Sequence, residues 1–138
     1  MISIELVVFL LICAAIYFAI GAFWYSPIGL GRPWMKAVGL TKEMMDPNHN
    51  MAKAMVVSYL VCLFQVFVIT MVVSHLKVQL VLYSAIIGAM IALAFGLLSA
   101  VRSDTYIKRN MVQMAIDHGY DVVGSAVIAA LATWWLAH

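Results

Sequence analysis

Hydrophobic residues in this chain do not alternate with polar ones. They run on, and the polar positions collect in the breaks between runs. Four apolar stretches stand out, at about residues 6–24, 54–73, 80–101 and 111–136. A bilayer core takes about 20 apolar residues as a helix. Lipid offers no partner to open backbone groups, so helices rather than strands are predicted. The second and third runs are joined only by Ser74-His75-Leu76-Lys77-Val78-Gln79, which forces an antiparallel hairpin. The pattern predicts an all-α fold, an integral membrane four-helix bundle forming a single transmembrane domain over residues 1–138.

The first loop is too long for a plain turn. Pro33 suits the first turn of a helix. From Trp34, the residues Val38, Thr41 and Met45 recur at helical spacing, with Lys36, Lys42 and Glu43 elsewhere on the wheel. This predicts a short amphipathic helix lying on the inner membrane surface. Gly39 weakens that prediction, and an irregular loop anchored by a Trp is the alternative. No low-complexity segment interrupts the chain, and its two halves show no residue-level repeat.

Composition sharpens the class. Hydrophobic residues make up 66% of the chain and charged residues 10%, against about 45–50% and about 25% in soluble domains. Soluble globular and disordered chains are both excluded, and the excess apolar surface is expected to meet the lipid bilayer. A net charge of +2 is too small to argue for a nucleic-acid partner. Cys13 and Cys62 lie inside apolar runs without metal or redox spacing, and read as small buried side chains. The first five residues carry no Lys or Arg, and Cys13 follows Ile12 rather than a small residue. The first span is therefore expected to be kept, not cleaved as a signal peptide.

Charge distribution sets an orientation. Arg32, Lys36, Lys42 and Lys53 fall in the first loop, and Arg102, Lys108 and Arg109 in the third. Only Lys77 falls in the second. Basic loops stay cytoplasmic, so both termini are expected outside. Trp24 and Tyr25 on the inner side, Trp34 in the loop, and Trp134 and Trp135 on the outer side read as interface anchors.

The most distinctive stretch is Gly21, Trp24-Tyr25-Ser26-Pro27, Gly31 and Trp34, followed by Gly39-Leu40-Thr41. It resembles the G-x-x-W-Y-S-P-x-x-[FW]-G-x-x-W pattern of the small bacterial membrane proteins grouped as domain-of-unknown-function family 1761. Leu30 stands where that family commonly has an aromatic, and the polar fourth span is a departure from, or an elaboration of, a mostly apolar segment with a Gly-Tyr pair, here Gly119-Tyr120. The resemblance implies four spans, a long first loop and a bacterial inner-membrane location. It transfers no catalytic residue, because the family has no established activity. Pro27 with Gly31 is expected to turn the chain onto the membrane surface.

Two ridges carry the chemistry. Span three places Ser84, Gly88, Ala92, Gly96 and Ala100 at every fourth position, a row of small residues that lets another backbone approach closely. Its partner is either span four or a second copy of the chain. Span four places Gln113, Asp117, Asp121, Ser125, Ala129 and Thr133 at the same spacing. Measured from Arg109, Asp117 lies about 12 Å and Asp121 about 18 Å into the bilayer. A carboxylate at mid-bilayer costs at least about 2.5–3.5 kcal/mol, so neither should face lipid. Two carboxylates one turn apart in a low dielectric resist ionising together. His118 can reach Asp121 along the helix, and Gln65 in span two is a candidate partner for the carboxylates.

Weaker signals surround these. Met111, Met114 and His118 share a helical face, and thioethers suit Cu(I), but Met is an ordinary apolar filler. His49, His75 and His138 read as solvated, and Glu5 pairs across the bundle or reaches the headgroups. There is no phosphate loop, His-Glu-x-x-His or nucleophile elbow, so neither an enzyme nor a cofactor is predicted. Two functions of different class are expected. One is a channel- or transporter-like protein moving protons or small cations through Asp117 and Asp121, with His118, Gln113 and Gln65 assisting. The other is a non-transporting accessory subunit whose polar fourth span docks a membrane-complex partner. Homo-oligomerisation is expected through the span-three ridge.

Overall fold

A computed structural model describes residues 3–39, 51–104 and 110–138. These segments are mostly helical: α1 (Ile4–Trp24), α2 (Gly31–Val38), α3 (Met51–Leu76), α4 (Val81–Ala92), a π-helical turn (Leu93–Leu97), α5 (Leu98–Asp104) and α6 (Met111–Leu136). Four stretches are long and apolar enough to cross a bilayer, namely Ile4–Trp24, Ala52–Leu76, Val81–Arg102 and Met111–Leu136. The protein is an all-α integral membrane protein.

Helix boundaries follow local chemistry. Ser3 caps α1, its hydroxyl accepting from Leu6 N at 3.1 Å, which starts the helix two residues before the apolar run predicts. Asn110 caps α6 in the same way through Val112 N at 2.9 Å. The hairpin between α3 and α4 is tighter than the predicted loop, because α3 continues to Leu76 and stops where Lys77 takes a left-handed φ of 50°. The first-loop helix is amphipathic but short. It begins at Gly31 and ends at Gly39, whose φ of 74° is the left-handed conformation that glycine adopts without strain. Thr41, Lys42, Glu43 and Met45, which would have prolonged it, lie outside the described residues.

The most polar of the four spans, α6, sits at the centre. It packs against α1, α2, α3 and α4 and is the most buried span. That arrangement keeps its polar residues off lipid, where an unsatisfied group is costly. The core lies among α1, α3 and α6, built on Tyr17, Val66, Val73, Ile128, Ala129 and Ala132. Burial brings little hydrophobic gain within a bilayer, so close packing and hydrogen bonds must hold this core.

The fourth member, α4, is attached chiefly to α6, and the two ridges meet there in antiparallel register. Ser84 Oγ donates to Ala129 O at 2.7 Å. Gly88 lies directly against Ser125 O, with no room for a side chain. Gly96, in the π turn, faces His118 and Asp121. Span four thus meets the small-residue ridge at Ser84, Gly88 and Gly96. Helices α3 and α4 pack on α6 rather than extensively on each other.

Candidate functional site

The two aspartates, although one turn apart, occupy different environments. Asp117 is held by the corner between α1 and α2. Its Oδ1 accepts from Tyr25 Oη at 2.9 Å and from Trp34 Nε1 at 2.7 Å. Tyr25 and Trp34 pack edge to face, with centroids 5.5 Å apart. Burial, reinforced by the carboxylate it meets, raises the Tyr25 hydroxyl above the usual phenol range, which keeps it a donor.

Neighbouring residues of the corner dock on the same stretch of α6. Trp24 Nε1 donates to Ile116 O at 2.9 Å, and its ring lies over Gly119. The Tyr120 ring lies against Gly21. The corner itself is closed by Leu30 N donating to Trp24 O at 2.7 Å and Gly31 N donating to Ser26 O at 3.1 Å. Ser26 Oγ donates to Phe23 O at 2.7 Å and accepts from Gly29 N at 3.1 Å. Gly31 is pressed against Tyr25 O, so the turn admits no side chain there.

These residues account for the distinctive motif. Over residues 8–133, the chain matches the family described as "Protein of unknown function (DUF1761)". It is a member of DUF1761. No curated protein and no solved structure matches it. In this DUF1761 protein, the motif's Gly21, Trp24, Tyr25 and Trp34 form a clamp on residues 116–120 of α6. The sequence presents these aromatics as membrane anchors; the structure adds a polar partner for each indole or phenol group.

Asp121 is placed otherwise. Its Oδ2 lies 3.6 Å from His118 Nδ1, with side-chain exposures of 31% and 20%. That separation is an ion-pair contact if the imidazole is protonated, but is slightly long for a hydrogen bond. Nδ1 is buried and has no hydrogen-bond partner among the described residues. Asp121 lines a cavity of about 250 Å³ between α3 and α4, floored by α6. Gln65 and Ser125 line it too, along with Phe64, Ala92 and Phe95. Gln65 therefore lines the same cavity as Asp121, while Asp117 belongs to the clamp. Gln113 is half-buried in the first turn of α6. Gly96, which lies against His118, belongs to the π turn Leu93–Leu97, a distortion that recurs at functional sites.

The remaining candidates separate. Met111 is exposed and Met114 buried. Among the described residues, no group of three His, Cys, Asp or Glu side chains is placed to hold a metal ion. Trp135 stacks on Phe9 with centroids 4.6 Å apart, tying α6 to α1, whereas Trp134 is exposed. The His138 ring contacts Trp134 O at 2.9 Å, and His75 is exposed.

One network has no counterpart in the sequence reading. Tyr17 is fully buried, its hydroxyl 3.4 Å from Ser125 Oγ. Tyr120 Oη donates to Tyr17 O at 3.3 Å and lies 3.6 Å from Cys62 Sγ. A tyrosine in mid-span must find such partners, because lipid supplies none. That rule is the signal by which Tyr17 and Tyr120 are recognisable.

Proposed function

We propose that this DUF1761 protein moves protons or small cations across or within the membrane, and that one carboxylate–imidazole pair, Asp121 with His118, does the work. The observation that carries this reading is the contrast between the two aspartates. Asp117 accepts two short hydrogen bonds, whereas, among the described residues, the Asp121 carboxylate pairs with His118 alone, at 3.6 Å, beside a cavity. A carboxylate kept inside a membrane without full hydrogen bonding is a functional group by default. The role expected of a pair thus narrows to Asp121, with Gln65 and Ser125 as polar neighbours and Asp117 as a structural acceptor.

Proteoliposomes with an entrapped pH dye test it. Wild-type protein should dissipate an imposed proton or cation gradient faster than empty vesicles, and Asp121→Asn should abolish the difference. Flux unaffected by that substitution, or no flux for any tested ion, would overturn the proposal.

A second reading, an accessory subunit of a membrane complex, is favoured by one observation. The Asp121 cavity lies between two helices that do not pack extensively on each other, so a partner's helix has lateral access. In either case the basic loops argue for both termini outside. A reporter fused after His138 should be active outside, and a cytoplasmic signal would reverse the orientation.

A further inference from the structure

We infer that the cleft between α3 and the π turn binds a small organic cation, an ammonium group on an apolar body, entering sideways from the bilayer with its charge at Asp121. This rests on the reading of Asp121 as the working carboxylate and names the kind of cation.

The lining divides by polarity. Asp121, Gln65 and Ser125 supply the polar atoms, and the other walls are hydrocarbon and aromatic. Among the described residues that line the cleft, Asp121 alone is ionisable. An occupant therefore needs a positive end and an apolar remainder. Phe64 and Phe95 stand in the lining with exposures of 68% and 79%, at the lipid-facing surface. Aromatic faces attract ammonium groups, and more strongly where water is excluded.

Coordination chemistry argues against a bare metal ion. A calcium ion takes about six to eight oxygen ligands and magnesium demands an octahedron. One carboxylate, one amide and one hydroxyl fall well short of that. An organic ammonium asks for few hydrogen bonds and tolerates apolar walls. Size narrows the class further. The cavity of about 250 Å³ lies below the roughly 300–1,000 Å³ typical of drug-sized ligands. The occupant is thus small, or leaves a tail in the lipid through the gap between α3 and α4.

The test uses the full chain in nanodiscs of zwitterionic lipid, with empty nanodiscs as the blank. Phenethyltrimethylammonium and its uncharged carbon isostere are titrated by equilibrium dialysis. Saturable binding of the cation is expected, with the isostere weaker by on the order of tenfold. Asp121→Asn should weaken the cation by on the order of tenfold or more. Ala92→Leu should also weaken it, by filling the cleft with the charge still in place. No saturable binding, equal binding of the isostere, or wild-type affinity in Asp121→Asn would overturn the inference. If Asp121→Asn does not fold, unchanged binding by Ala92→Leu overturns it instead. Asp121-dependent proton flux without cation binding would sink this inference and leave the proton reading standing. Loss of both would remove both.

Discussion

Trp34 and Asp117 stand 83 positions apart in the chain and 2.7 Å apart in the structure, indole Nε1 to carboxylate Oδ1. That bond, with the one from Tyr25, fixes the corner after α1 onto the central helix. A bond to a charged acceptor contributes about 1.5–3 kcal/mol in soluble proteins, while interhelical bonds within membranes average about 0.6 kcal/mol.

Asp117→Ala is therefore expected to destabilise the fold by about 1–3 kcal/mol, since it strands two donors. Asp117→Asn keeps an acceptor oxygen and should cost less than half of that. Unfolding by sodium dodecyl sulfate in mixed micelles reads both. An Asp117→Ala protein that unfolds with the wild type would show that the clamp does not hold the corner.

Much of the scaffold was legible in the sequence because it depends on runs and periods. The span over residues 111–136 is the observed α6, and the small-residue ridge meets span four at Ser84, Gly88 and Gly96. The different surroundings of Asp117 and Asp121 were not legible. Both lie on one ridge with equal spacing, and what separates them is a corner folded 92 positions away at Tyr25. Nor did any propensity mark the π turn at Leu93–Leu97, since the four-residue spacing of small residues runs straight through it. The aromatic motif pointed to the right residues with an incomplete reason, because membrane anchoring does not require an acceptor on another helix.

The two glycines of the α4 ridge should respond differently to the same change. A Cβ on Gly88 would stand against Ser125 O and 2.8 Å from Ala129 Cβ, so α4 and α6 would have to separate. Overpacking of this kind costs about 1–3 kcal/mol. A Cβ on Gly96 would meet His118 Nδ1 at 3.4 Å, an ordinary contact. Gly96→Ala should stay within about 0.5 kcal/mol of wild type. Equal losses in the same micelle titration would show that the ridge is not in the register described.

Tyr17 and Gly124 form a matched pair on the opposite side of α6. The buried Tyr17 ring fills the space above Gly124, where a Cβ would meet ring carbon Cδ2 at 2.7 Å. Gly124→Ala should lose about 1–3 kcal/mol in wild type and distinctly less in a Tyr17→Leu background. A double-mutant cycle measures that coupling, expected between about 0.5 and 3 kcal/mol. Additive losses would mean that the ring yields without strain.

Asp121→Asn should move stability in the direction opposite to Asp117→Ala. Among the described residues the Asp121 carboxylate pairs with His118 alone, at 3.6 Å, and it borders a cleft whose other polar side chains are Gln65 and Ser125. A membrane penalises such a group, and an imidazole 3.6 Å away does not fully offset that cost. Replacing it by a neutral amide removes that cost, so the variant should be neutral or more stable by up to about 1 kcal/mol. Sites retained for activity commonly show this behaviour, because function there opposes stability. The same micelle titration, run beside the flux assay, separates the two functional readings. A stable Asp121→Asn protein without flux fits a working carboxylate. If it instead loses more than about 1 kcal/mol, Asp121 is a structural acceptor like Asp117, and the transport reading loses the contrast on which it stands.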